Sequence, residues 1–277
     1  MSDETVVLIT GANRGKYISI LSLSTQCLQG IPLKSISTNT FSGLGLGLAT
    51  LYLNQHNTRV ILTARTDDPS SILKALPNTY PGTLHGIYNL DSASTTDTIA
   101  LRSSLLSQEH KIPKIDIIVA NAGVGAPFDT ILDAPIDALE QFYRVNALGP
   151  VRLYQQLWKD LLEKSANPRF ILVSSVLGSL AYVDSTPCGG YGASKAAGNY
   201  FVRKMHEENG RLVAVAIHPG WVKTDNGQAY ADAVNVPEPP TDVEASVNAI
   251  FQLVSEAIRE GTSGKFIDVM SGSEIPW

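Results

Sequence analysis

The 277-residue chain has little sulfur and little charge, with two cysteines, Cys27 and Cys188, and three methionines. Two thiols imply neither a disulfide framework nor a cysteine-built metal site. The five histidines, His56, His85, His110, His206 and His218, show no HExxH or comparable ligand spacing, so no metal is expected. Charged residues make up 17% of the chain and the formal net charge is -5, which leaves no basic field to attract nucleic acid or an anionic membrane. No apolar run reaches the ~18 residues of a membrane span. The opening MSDETVVLIT is acidic and then strand-like, unlike a signal peptide. A cytoplasmic location is therefore the expectation, with a small molecule as partner rather than nucleic acid or a membrane.

What the chain does have is apolar material, at 44% hydrophobic residues, enough for a large buried core. β-rich runs fall at Thr5–Thr10 and at 59–63, 84–90, 115–120, 169–174, 212–218 and 265–269. Most lack polar alternation, as strands covered on both faces do. Helix-like segments at 44–55, 92–109, 134–164, 191–208 and 241–260 lie between them, and 236–242, VPEPPTD, reads as a surface loop. Strand–helix repetition predicts an α/β, doubly wound, mostly seven-stranded parallel sheet flanked by helices, in one domain over 1–277. Ligands of such sheets bind beyond the carboxyl ends of the strands, so the residues after each β-run are the ones to read.

After the first run comes TGANRG, containing Gly11, Asn13, Arg14 and Gly15, and Leu44 and Gly45 open the first helix. Glycines there let backbone N–H groups approach a pyrophosphate at a helix N-terminus, although such a turn is equally compatible with a plain reversal. Arg65 ends ILTAR, where an acidic residue would bond the ribose hydroxyls of NAD and an Arg accommodates the 2′-phosphate of NADP. An Arg in that place also serves simply as a solvated side chain. Asn121, Ala122 and Gly123 follow the fourth run, small enough for backbone to pass under a cofactor. Asn146 stands inside a helix pattern that Asn does not favour, which points to a buried hydrogen bond or a role at the site. Tyr191 and Lys195, at i and i+4, share a helix face, and an ammonium beside a phenol lowers its pKa. Pro219 and Gly220, then Val222 and Thr224, follow the sixth run as a rigid turn; His218 reads as a packed strand-end residue.

In this order and on these elements, TGxxxGxG, NAG, the helix Asn, a Ser-bearing strand end, YxxxK and PG resemble the short-chain dehydrogenase/reductase family over nearly the whole chain. HPGWVKTD and GKFIDVMSGSEIPW resemble its carbonyl-reductase, C-factor-like branch, which includes fungal norsolorinic acid ketoreductases. The resemblance implies a Rossmann-type fold and NADPH-dependent reduction of a carbonyl substrate, with an aromatic polyketide ketone as one candidate. It implies Tyr191 as general acid, Lys195 holding the nicotinamide ribose, Ser175 bonding the substrate oxygen and Asn146 anchoring a water that relays protons to Lys195. It adds Asp91 to the cofactor contacts and a possible homodimer or homotetramer. The interval from Ser175 to Tyr191 is longer than the family commonly has, so Ser174 and Ser179 stand as alternatives. The pocket is expected from 124–130, 177–190 and 225–240. An alcohol dehydrogenase would use the same residues in reverse.

One stretch fits neither half of the glycine motif. Removing Lys16 to Gly43 joins TGANRG to LGLG and leaves a chain of ordinary length for the family. Gly15-Lys16-Tyr17 is encodable as G|GT AAG TAT with the donor GTAAGT, Ser37-Thr38-Asn39 permits the branch sequence CTAAC, and Phe41-Ser42-Gly43 permits a pyrimidine-rich run ending in CAG. Residues 16–43 therefore read as a non-native insertion, a retained intron or a gene-model error. Closing a longer loop costs little entropy, so the fold is expected to survive, but with weakened NADPH binding. A catalytically impaired NADP-binding protein is the competing reading.

Overall fold

The computed structural model describes residues 4–12, 43–65 and 68–277. The expected insertion lies almost wholly outside them, as do Asn13, Arg14 and Gly15; only Gly43 is described. Seven strands, β1 (Thr5–Thr10), β2 (Thr58–Ala64), β3 (Thr83–Asn89), β4 (Ile117–Ala120), β5 (Arg169–Val173), β6 (Val213–His218) and β7 (Phe266–Asp268), form one sheet in the order β3-β2-β1-β4-β5-β6-β7. Every pairing is parallel. The winding direction reverses between β1 and β4, which opens a crevice at their carboxyl ends.

Successive residues of a strand point to opposite faces. In β1, Val6 and Leu8 enter one core with Leu101, Leu105, Leu153, Leu157 and Val202, while Val7 and Ile9 enter the other with Leu48, Leu53, Val247 and Ile250. The helices that cover the two faces are α1 (Leu44–Leu53) and α8 (Val243–Glu256) on one side, and α3 (Thr95–Leu106), α5 (Leu148–Leu157) and α6 (Gly189–Glu208) on the other. Both faces of the sheet being dry accounts for the apolar runs without alternation. Each such aliphatic side chain contributes about 1.5–3 kcal/mol on burial.

Three stretches depart from the sequence pattern. The segment expected as one helix over 134–164 is broken into α4 (Ile136–Phe142), a π-helical turn at Tyr143–Ala147, and α5. The single-residue widening carries Asn146 and turns its side chain out of the regular register, the usual setting of a π-bulge at a site. The stretch 225–240, expected to wall the pocket and outside the helix-like segments, begins with α7 (Asp225–Ala233), capped by the Thr224 hydroxyl accepting from the Gly227 N–H at 3.2 Å. A short helix, α2 (Ser70–Ala75), lies outside the expected segments too. Among the described residues, no helix is long and apolar enough to cross a membrane.

Candidate active site

The turn after β1 is fixed by the turn after β4. The Thr10 hydroxyl accepts from the backbone N–H of Asn121 and of Ala122, both at 3.0 Å, and Asn121 Nδ2 donates back to the Thr10 carbonyl at 2.8 Å. Gly11 sits at φ +73°, and a Cβ on it would lie 2.9 Å from the Ala122 Cα. Gly45, in the first turn of α1, approaches as closely, with a Cβ there falling 2.7 Å from the Gly11 carbonyl oxygen. Arg65, just past β2, and Asp91, past β3, line a narrow cleft with Gly11, Ala122 and Val145.

A cavity of about 780 Å³ opens beside this turn. It is lined by Gly11, Leu44, Gly45, Asn121 and Gly123, by Ser175, Tyr191 and Lys195, and by Pro219, Gly220, Val222 and Thr224. The structure thus gathers at this cavity and its neighbouring cleft every expected site residue that it describes except Asn146. That side chain is buried behind the wall: Oδ1 accepts from the Val124 N–H at 2.8 Å, while Nδ2 donates to the Val124 carbonyl at 2.8 Å and to Ser194 Oγ at 2.9 Å. It ties the turn after β4 to α6. Asn146 Oδ1 and Lys195 Nζ lie 3.2 and 3.3 Å from where a Gly123 Cβ would stand, so the two meet over that glycine.

Lys195 is buried and donates from Nζ to the Val173 carbonyl at 2.8 Å. Its ammonium stands 5.7 Å from the Tyr191 ring centroid. The expected lowering of the Tyr191 pKa by Lys195 is not what the structure gives. Burial pushes the phenol up to about 12, opposed by hydrogen bonds from Ser175 and Asn226, and reinforced slightly by Cys188. The ammonium lies by the face of the ring and bonded to backbone, whereas the hydroxyl is enclosed, so desolvation of the phenolate dominates.

The three candidate serines separate by their partners. Ser174, which also lines the cavity, donates from Oγ to Asn199 Oδ1 at 2.5 Å, and Ser179 Oγ donates to the Pro276 carbonyl at 2.5 Å. Ser175 Oγ accepts from the Leu177 N–H at 3.2 Å and reaches the Tyr191 phenol. His218 also lines the cavity, and burial lowers its pKa.

Of the three segments expected to wall the pocket, 124–130 does so through Val124, Gly125, Ala126 and Phe128, 225–240 does so only up to Tyr230, and 177–190 contributes only Leu177. That stretch carries two short 3-10 turns, Val176–Gly178 and Leu180–Tyr182, the first packed on α6 and followed by Ser179, which is bonded to Pro276, and its last two residues open α6. Sequence reasoning passed over Phe128, Asn226 and Tyr230. Phe128 lies 5.5 Å from Tyr191 and 5.2 Å from Tyr230, and Tyr230 lies 5.2 Å from Trp221, ring centroid to centroid. An aromatic wall therefore runs from the phenol to the turn after β6. A helical phase for 225–233 would have placed Asn226 and Tyr230 on one face, the one signal available.

A family model described as short chain dehydrogenase matches residues 36–235. The norsolorinic acid ketoreductase of Aspergillus parasiticus is 32% identical over 260 residues, covering 92% of this chain and 96% of the relative. The enzyme of the same name from Emericella nidulans is 34% identical over 244 residues, covering 87% and 92%. Among solved structures, NADPH-bound carbonyl reductase from chicken fatty liver superposes with a TM-score of 0.76 at 24% identity, covering 99% of each chain. A short-chain dehydrogenase/reductase from Burkholderia multivorans with bound NADP gives a TM-score of 0.74 at 26% identity, covering 99% of this chain and 100% of that one. With the sheet order, the glycine turn and the Ser, Tyr and Lys side chains meeting at one cavity, these similarities establish that the chain belongs to the short-chain dehydrogenase/reductase family of oxidoreductases.

Proposed function

We propose that the chain is an NADPH-dependent carbonyl reductase that converts a ketone or aldehyde to an alcohol. The observation that carries this reading is the meeting of Ser175, Tyr191 and Lys195 in the lining of one cavity that the glycine turn also lines. The residues fit a dinucleotide. Gly11, Gly45 and Gly123 let neighbouring segments close on one another there, a Cβ on each falling 2.9, 2.7 and 3.2 Å from another residue's atom, and all three line the cavity at the crevice where such sheets bind nucleotides. Gly11, Leu44 and Gly45 would hold the pyrophosphate; Asn13, Arg14 and Gly15, proposed to contact it too, lie outside the described residues. Arg65 is exposed beside Asp91 and supports NADP over NAD through its charge toward a 2′-phosphate. Asn121, Ala122, Gly123, Pro219, Gly220, Val222 and Thr224 would line the nicotinamide end. When bound, NADPH supplies hydride to the carbonyl carbon.

The chain's own residues supply the proton. A phenol with a pKa pushed up to about 12 is protonated at neutral pH, the form a general acid needs. Tyr191 would pass its proton to the substrate oxygen, which Ser175 orients. Lys195 would hold the ribose, and Asn146, meeting it over Gly123, would support proton resupply. Positioned acid–base help of this kind is worth about 10²–10⁴-fold in rate. The wall of Phe128, Tyr230 and Trp221 suits a flat aromatic ketone, in keeping with relatives named for norsolorinic acid. The test is NADPH oxidation with aryl ketones by the wild-type chain and by Tyr191→Phe. Loss of turnover with retained NADPH binding is expected, and turnover by Tyr191→Phe would overturn the assignment.

A further inference from the structure

α7 carries into the cavity a polar side chain with no place in the scheme so far. Asn226 is the second residue of α7, and Tyr230, one turn on, shares its face; both line the cavity. The helix start is held firmly. Thr224 caps it, the Gln228 N–H donates to the Thr224 carbonyl at 2.8 Å, and Trp221 Nε1 donates to the Gly227 carbonyl at 3.0 Å. Gly227 packs so tightly that a Cβ on it would stand 2.0 Å from the Val222 carbonyl oxygen. Across the cavity, Asn226 is pressed against Gly125: a Cβ there would lie 1.9 Å from Oδ1 and 2.8 Å from Nδ2. The carboxamide thus depends on a glycine opposite it, and it lines the same cavity as the Tyr191 phenol, whose proton affinity it lowers.

The chemistry gives that contact a purpose. In the reduction, the carbonyl carbon takes the hydride of NADPH and the oxygen takes the Tyr191 proton. The electron pair of the broken O–H bond stays on the phenol oxygen as a phenolate. A buried anion needs donors. Ser175 has one hydroxyl proton, so it cannot donate to the substrate oxygen and to the phenolate at once. Asn226 Nδ2 has two N–H groups and no other assigned role.

We propose that Asn226 is a positioning residue for proton transfer: its carboxamide, held between α7 and Gly125, donates to the Tyr191 oxygen and stabilises the phenolate while Ser175 serves the substrate. The inference rests on the reading of Tyr191 as proton donor. It makes α7 part of the acid–base machinery as well as a wall of the pocket.

The test combines two readouts on the full chain. The first is an ultraviolet difference titration of Tyr191 without cofactor, taken as the spectrum of each protein minus that of its Tyr191→Phe counterpart. The second is the pH profile of kcat and KM for acetophenone and menadione at saturating NADPH. Asn226→Leu is expected to move Tyr191 ionisation to higher pH and to lower kcat on the order of tenfold, the worth of a hydrogen bond to a charged group. KM should change less than about threefold. Asn226→Asp, which places a carboxylate beside the phenol, should move the ionisation further up and lower kcat more. Gly125→Ala, which displaces the carboxamide without removing it, should shift the titration as Asn226→Leu does.

An unshifted titration in Asn226→Leu and Asn226→Asp, whatever their activity, would overturn the inference and leave Asn226 a pocket-shaping side chain. Full turnover by Tyr191→Phe, or no turnover by the wild-type chain, would overturn the functional reading and the phenolate role with it. A shifted titration would then still report the Asn226–Tyr191 bond.

Discussion

Gly11 and Gly45 stand on opposite sides of the interrupting stretch and yet touch in space, a Cβ on Gly45 falling 2.7 Å from the Gly11 carbonyl oxygen. Gly11 and Gly45 are therefore already together, and residues 16–43 are expected to be dispensable for bringing them so. Deleting them should leave the melting temperature unchanged or higher and tighten NADPH binding, on the order of tenfold, because a continuous turn pre-organises the pyrophosphate site. Fluorescence titration of both forms with NADPH decides the matter, and equal affinities would sink it. Sequencing the transcript across these codons tests the origin of the stretch separately.

The serines offer a second test. Ser175→Ala should lower kcat/KM by about 10²–10³-fold, the effect of losing one donor at a developing oxyanion. Ser174→Ala removes only the 2.5 Å bond to Asn199, so stability should fall by about 1 kcal/mol with turnover largely kept. Ser179→Ala should resemble Ser174→Ala through its loss of the Pro276 contact. A Ser174→Ala variant as inactive as Ser175→Ala would reverse the assignment.

Cofactor choice rests on Arg65. Arg65→Ala should raise KM for NADPH about 10–100-fold, the loss of a charge-assisted bond to phosphate, and leave KM for NADH unchanged. Parallel steady-state kinetics with the two cofactors provide the check. Equal effects on both would place Arg65 outside the cofactor site.

Alkaline stability should report the buried phenol directly. Tyr191 in the folded chain holds its proton up to about pH 12, above the ordinary value of 10.0. The folded state thus binds the proton more tightly than the unfolded state. Its contribution is fully present below pH 10 and is lost as pH rises towards 12, by an amount on the order of 2–3 kcal/mol. Tyr191→Phe has no proton to lose there. Denaturant unfolding between pH 8 and 11 should show the wild type losing more stability than Tyr191→Phe, and parallel curves would contradict the shifted pKa.

Much of this was readable from the chain. The strands showed as apolar runs because both faces of the sheet are covered, and the glycine turn, Asn121-Ala122-Gly123 and Tyr191/Lys195 showed because each follows a strand at fixed spacing. The π-helical turn was hidden because one extra residue hardly disturbs an apolar period, and its cause, the bonds from Asn146 to Val124, spans 22 residues. α7 was hidden because Asn226-Gly227 imitates a turn. The Tyr191 shift was beyond reach of sequence, since burial is set by partners such as Phe128, which belongs to the preceding connection, between β4 and β5. Spacing placed the ammonium near the ring; it could not say that it faces the ring rather than the hydroxyl.

All seven strands run the same way, so the cavity is lined from the connections leaving one edge of the sheet, while Leu8, Ile9, Ile61, Ile118, Phe170 and Phe266, buried completely, lie inside strands. Heritable change can act on these two groups of codons separately. A lineage that rewrites Phe128 or Tyr230 alters which molecule is accommodated without touching the side chains that keep the chain folded. Paralogues of such a protein are expected to share their interiors and to differ at their rims, so divergence there records a history of diet rather than of architecture.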